Sequence, residues 1–110
     1  MPDAVKSKRV VTFVPAEQAE TFAKTIADEI PYLFGGYDAV CWWNTPKTEE
    51  GTEQFRRRGG TLEQTPSVRM EFSIPDDVEC QEKFTKTIQN LHPWEEPVIL
   101  FFDSEIIRKK

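Results

Sequence analysis

Apolar and polar positions alternate without a slip through Ser67, Val68, Arg69, Met70, Glu71, Phe72, Ser73 and Ile74, which predicts a strand with one buried face. Residues 9–14 are rich in β-branched and aromatic side chains and stop at Pro15, a second strand signal. Between the two, Ala19, Phe22, Ala23, Ile26, Ala27 and Ile30 recur at helical spacing. Pro15 suits the first turn of that helix, Glu17 and Glu20 place negative charge at its N-terminal end, and Pro31 stops it. A second helix carries Cys80, Phe84, Ile88 and Leu91 on its apolar face, opened by Asp76 as cap with Glu79 reaching back. Residues 37–43 and 98–102 are apolar at nearly every position and read as two further strands.

The order is strand, helix, strand, a long excursion over 44–66, then strand, helix, strand. That is an α+β chain of the ferredoxin-like class, a βαβ-βαβ two-layer sandwich with a four-stranded antiparallel sheet and both helices on one face. Residues 1–8 are expected to be a flexible leader, 9–103 the single domain, and 104–110 a tail forming a short strand or helical turn. The excursion carries one short strand around Phe55. Trp42 with Trp43, and Phe101 with Phe102, make the second and fourth strands apolar on both faces. The helices cover one face only, so these four residues are the expected interface of a homo-oligomer.

Composition narrows the classes of partner. The 110 residues hold 38% apolar and 30% charged side chains with a net charge of -5, a balance that disfavours nucleic acid and anionic membranes. No apolar run approaches the roughly 20 residues of a membrane helix. Cys41 and Cys80 fit no metal-ligand spacing and read as reduced thiols of a cytoplasmic protein. Arg56, Arg57 and Arg58 before Gly59 and Gly60 lack the spacing of a phosphate loop and read as a solvated turn.

Chemistry concentrates in residues 91–99. The only histidine, His92, stands before Pro93, and Trp94, Glu95 and Glu96 stand before Pro97. Each proline forces the residue before it into an extended conformation, so the segment is a stiff elbow that closes the second helix at His92. Three readings follow. His92 caps the helix or hydrogen-bonds backbone while Glu95 or Glu96 pairs with a basic residue such as Arg69; or His92, Cys41 and Glu95 hold a divalent metal such as copper or zinc; or Glu95 or Glu96 acts as a catalytic base. A single histidine limits acid–base chemistry, so the balance leans away from an enzyme.

His92-Pro93-Trp94-Glu95-Glu96-Pro97 resembles the His-Pro-Tyr-Glu-Glu-Pro motif of the PII-like domain in the YqfO (Nif-three-like) family. It is also similar to the His-Pro-Tyr-Glu-x-Pro turn of CutA proteins. Residues 11–15, Gly36 with Tyr37, Cys41, Gly51, Phe55 with Arg56, and 68–71 keep the same order, so the resemblance spans roughly 9–102. It implies a PII/CutA-like module, commonly a trimer, that takes a small ligand or metal ion in clefts between subunits. The residues expected there are His92, Trp94, Glu95, Glu96, Tyr37 and Arg69. Trp94 replaces the usual tyrosine. The large metal-binding part of full-length YqfO-type proteins has no counterpart in the chain, and no hydrolase activity is carried over from it.

Overall fold

A computed structural model describes residues 3–30, 38–44 and 51–108. The elements are β1 (Asp3–Pro15), α1 (Ala19–Ile26), β2 (Cys41–Trp43), β3 (Gly51–Arg56), β4 (Leu62–Pro75), α2 (Val78–Leu91) and β5 (Ile99–Arg108). All strand pairs are antiparallel, in the order β2-β4-β1-β5, with β3 pairing the first half of β4. This is the ferredoxin-like sandwich the pattern predicts, with a fifth strand where the excursion carries Phe55.

Alternation in β4 sorts its two faces as expected. Val68, Met70, Phe72 and Ile74 are buried together with Val10 and Val14 of β1, Phe22 and Ile26 of α1, and Phe84 and Ile88 of α2. Both helices therefore pack on one face of the sheet. One turn of 3₁₀ helix leads into α1 and another follows it, the second ending at Ile30 with φ -81° and ψ 113°. That extended residue precedes Pro31, whose ring excludes a helical neighbour.

Four local expectations are corrected. Residues 3–8, expected as a leader, form the first part of β1, because the chain's other end supplies a partner strand from Asp3↔Arg108 onward. Lys6 lies opposite Glu105 in register, and Lys8 lies opposite Asp103 and forms an ion pair with it across the ribbon. Residues 104–108, read as the start of a separate short strand or helical turn, are strand but continue β5 as its second half. β2 is shorter than predicted, since Ala39 has φ +56°, a left-handed conformation costing an L residue about 1–2 kcal/mol, and this breaks the strand before Cys41. Finally, Asp77 and not Asp76 caps α2: its Oδ1 accepts from the Glu79 amide at 2.9 Å.

At the tip of the β3–β4 hairpin, Gly59 has φ +79° and the Gly60 amide donates to the Arg57 carbonyl at 2.8 Å. A turn with positive φ takes glycine without strain. Arg57 is committed to Glu63 at 2.9 Å and lies over the Phe55 ring, so the arginine run braces the hairpin. Among the described residues no helix is long and apolar enough to cross a membrane.

The capping geometry sets a test. Asp77→Ala should destabilise the chain by about 1 kcal/mol in urea denaturation, the usual cost of an N-cap. Asp76→Ala, which loses only an exposed ion pair to Lys8, should stay within about 0.5 kcal/mol of the parent.

Candidate functional site

The stripe that buries α2 explains its histidine. Phe84, Ile88 and His92 follow at intervals of four, so His92 falls on the core side and is 7% exposed, while Leu91 points outward and is 38% exposed. The expectation that Leu91 completes the apolar face is thus corrected by one position. His92 ends the helix with φ -72° and ψ 138°, as the following proline requires, and its amide still donates to the Ile88 carbonyl at 2.8 Å.

Both ring nitrogens of His92 are occupied. Nε2 donates to the Phe13 carbonyl at 2.6 Å, and Nδ1 accepts from the Trp94 amide at 3.1 Å. These partners fit only the neutral imidazole with its proton on Nε2. The ring meets Phe22 edge-on at 5.7 Å and lies 4.9 Å from the Trp94 ring. Burial lowers its pKa below the ordinary 6.5, against the opposing pull of the Phe13 carbonyl. Past the prolines, the Thr12 hydroxyl donates to the Val98 carbonyl at 2.8 Å. The elbow is clamped at both ends to neighbouring residues of β1.

The metal set read from the sequence does not come together. Among the described residues no three histidine, cysteine, aspartate or glutamate side chains converge on a point that would hold a metal ion. Glu95 and Glu96 are exposed, and Cys41 sits half-buried beside the core, its thiol pushed up to about 11 by burial despite the charge of Arg9. Arg69 does not reach for Glu95 or Glu96. Its Nε lies 3.0 Å from Glu71, whose other oxygen lies 3.0 Å from Arg9. Tyr37 lies outside the described residues.

Register places this trio of Arg9, Glu71 and Arg69 on the face of the sheet away from the helices. Trp42 lies opposite Glu71, Glu71 opposite Val11, and Val11 opposite Leu100; the next row sets Ser73, Arg9 and Phe102 side by side. Trp42 and Phe102 are each 48% exposed and Leu100 40%. Trp43 and Phe101 point the other way and pack against the core. Of the four residues expected at an interface, two therefore belong to the open face and two do not, because successive strand residues alternate between faces.

One cleft of about 280 Å³ opens on this face where β2 ends and β3 begins. Phe13, Trp42, Asn44, Gly51, Thr52, Glu53, Ser67 and Arg69 line it. The Asn44 Oδ1 accepts from the Arg69 amide at 2.8 Å, which continues the β2–β4 ladder past Trp43. Ser67 is 4% exposed, and its Oγ and the buried Oε2 of Glu53 have no hydrogen-bond partner among the described residues. Burial raises the Glu53 carboxyl above its usual range. Sequence reasoning supplied Arg69 and Trp42 here. It missed Glu53 and Ser67, whose placement depends on the β3–β4 pairing, Gly51 opposite Ser67 and Glu53 opposite Thr65. Phe13 joins the two regions, its carbonyl holding the elbow and its ring lining the cleft.

No family model and no curated protein matches the chain. Solved structures do. A Bacillus cereus protein related to NIF3 is 32% identical with a TM-score of 0.72, covering 94% of this chain, and the chain spans 27% of that protein. CutA from Synechococcus elongatus is 17% identical with a TM-score of 0.67, over 96% of this chain and 83% of that one. A periplasmic divalent cation tolerance protein, CutA, from Archaeoglobus fulgidus is 15% identical with a TM-score of 0.63, over 87% and 81%. The chain has the fold of the CutA proteins and is similar in sequence to about a quarter of the NIF3-related protein.

The His92 contacts predict the response to pH and truncation. Because folded His92 resists protonation, the unfolded chain takes up the proton first as pH falls. Stability should be full above the ordinary value of 6.5 and decline below it, seen as a falling Tm from pH 7 to 5 that flattens in His92→Gln. His92→Ala strands the Phe13 carbonyl and opens a void, and should cost about 2–4 kcal/mol in urea denaturation at pH 7.5.

Proposed function

We propose that the chain is a non-enzymatic, oligomeric binding module of the PII/CutA-like kind, which associates with copies of itself over the helix-free face of its sheet and takes a small ligand beside that face. One observation carries this reading. Trp42, Leu100 and Phe102 stand 40–48% exposed in adjoining rows of a single sheet face that no helix covers. Large side chains grouped on one face mark an interaction surface.

A second copy suits the surface by charge as well. The Arg9–Glu71–Arg69 trio at its centre combines both signs, so a like face presents complementary groups. The resemblance to PII/CutA-like domains favours a trimer with the ligand cleft at the subunit boundary. The free thiols of Cys41 and Cys80 support a cytoplasmic setting.

Handling of divalent cations is the second reading, favoured by the likeness in fold to a divalent cation tolerance protein, CutA. It requires donors from more than one subunit, since the described residues of one chain bring no three ligands together. Calorimetry with copper and zinc on the parent and on Cys41→Ser tests it; equal affinities remove the cysteine from any such site.

Light scattering at micromolar concentration tests the assembly. The expected mass is a small multiple of one chain, and Phe102→Glu, which places a charge in the apolar band without touching the core, should shift the mass toward the monomer. A parent chain that runs as a monomer overturns the reading.

A further inference from the structure

We propose that the cleft at the base of the β3–β4 hairpin binds a free α-amino acid, with Glu53 receiving the ammonium group, Arg69 the carboxylate, and Trp42 and Phe13 the side chain. This rests on the binding-module reading above and adds the chemical class of the ligand.

Two polar atoms of the cleft have no partner among the described residues. Ser67 is 4% exposed and its Oγ makes no hydrogen bond, although a buried hydroxyl ordinarily finds a partner. The buried Oε2 of Glu53 also lacks a donor. Register sets these atoms on the same side as the cation. Thr65, Ser67, Arg69 and Glu71 alternate onto one face of β4, Glu53 lies opposite Thr65, and Phe13 lies opposite Arg69. Glu53 does not answer Arg69 itself, because Oε2 is unpartnered while the Nε edge of Arg69 is engaged by Glu71 at 3.0 Å. Arg69 lines the same cleft, so a ligand held there lies within reach of its guanidinium.

Charge then selects the class. A ligand that is only an anion satisfies Arg69 and sets its charge beside Glu53; a ligand that is only a cation satisfies Glu53 and meets Arg69. A zwitterion answers both at once, with Ser67 as a third polar contact. The rings of Trp42 and Phe13 complete the lining with apolar surface, and they suit an apolar side chain. The volume of about 280 Å³ suits an amino acid and is small for a nucleotide. At the floor, a Cβ on Gly51 would stand 3.0 Å from the Ser67 carbonyl, so glycine is the residue that lets β3 begin this close to Ser67.

The experiment is calorimetric titration of the full chain, in whatever assembly it adopts, with L-phenylalanine and L-leucine as probes. Phenethylamine and phenylacetate serve as analogues that each lack one charge. At least one amino acid should bind, each analogue should bind roughly tenfold or more weakly, and Glu53→Gln should weaken the amino acid by a similar factor. Glu53→Gln should also lose discrimination between L-phenylalanine and phenylacetate, which a merely structural defect would not produce. Ser67→Ala should weaken binding several-fold with its melting temperature held. Binding of neither amino acid by folded protein, or unchanged affinity in Glu53→Gln, overturns the proposal. Light scattering on the same samples separates the two readings. An oligomer that binds neither probe removes the ligand class and leaves the assembly standing, and a monomer that binds with this charge dependence does the reverse.

Discussion

Two hydrogen bonds to adjacent residues of the first strand decide where the second half of the fold goes. Nε2 of His92 donates to the Phe13 carbonyl at 2.6 Å, and the Thr12 hydroxyl donates to the Val98 carbonyl at 2.8 Å. Between these contacts the chain carries Pro93 and Pro97, which restrict the backbone and lower the entropy lost when the elbow is ordered. The strand that follows therefore enters the sheet at a fixed register, Thr12↔Ile99, and continues to Asp3↔Arg108. A shift of one residue would turn Leu100 and Phe102 toward the helices and Phe101 toward water. The elbow thus acts on the open face at a distance, by determining which side chains β5 places there.

The two faces of the sheet answer different demands. On the helix side the core is aliphatic and aromatic, and its one buried imidazole is neutral and doubly hydrogen-bonded. On the open side Glu71 lies between Arg9 and Arg69, surrounded by half-exposed Trp42, Leu100 and Phe102. Partly exposed ion pairs of this kind contribute about 0–1 kcal/mol each, so they are weak grounds for stability. Their effect is on specificity, since a surface that presents fixed charges among apolar groups accepts only a partner that answers those charges.

Much of this was legible in the sequence wherever the cause is local. Proline acts on the residue before it, and Ile30 and His92 are extended as predicted. Strict alternation from Ser67 to Ile74 needs no knowledge of the partner strand, and β4 follows it. Legibility fails where a partner from elsewhere in the chain decides. Residues 3–8 look like a charged leader until Glu105 and Asp103 stand opposite Lys6 and Lys8. Trp42 and Trp43 read as one apolar block, yet the pleat sends one to each face. His92 was recognisable as a helix end but not as a core residue, although the interval of four from Phe84 through Ile88 held that signal. The capping aspartate shifted by one because Asp76 and Asp77 are equivalent in composition and only backbone geometry separates them.

The excursion over 44–66 is legible by its length as a connection of the kind more often functional or interfacial than idle, but not in its detail. Its glycines, prolines and charges give no continuous pattern, and one short strand around Phe55 is all that a local reading finds there. The hairpin it contains nevertheless carries Glu53 to the same sheet face as Arg69 and leaves Ser67 buried with its hydroxyl unanswered. An ordinary loop exposes such groups to water, and a pure scaffold would have filled these positions with apolar side chains or mutual hydrogen bonds. Burying an acceptor and a hydroxyl beside an arginine and two aromatic rings costs stability unless another molecule completes the set. That cost is the physical reason the proposal sets its ligand in this cleft and not at the elbow, where every ring nitrogen of the only histidine is already satisfied from within the chain.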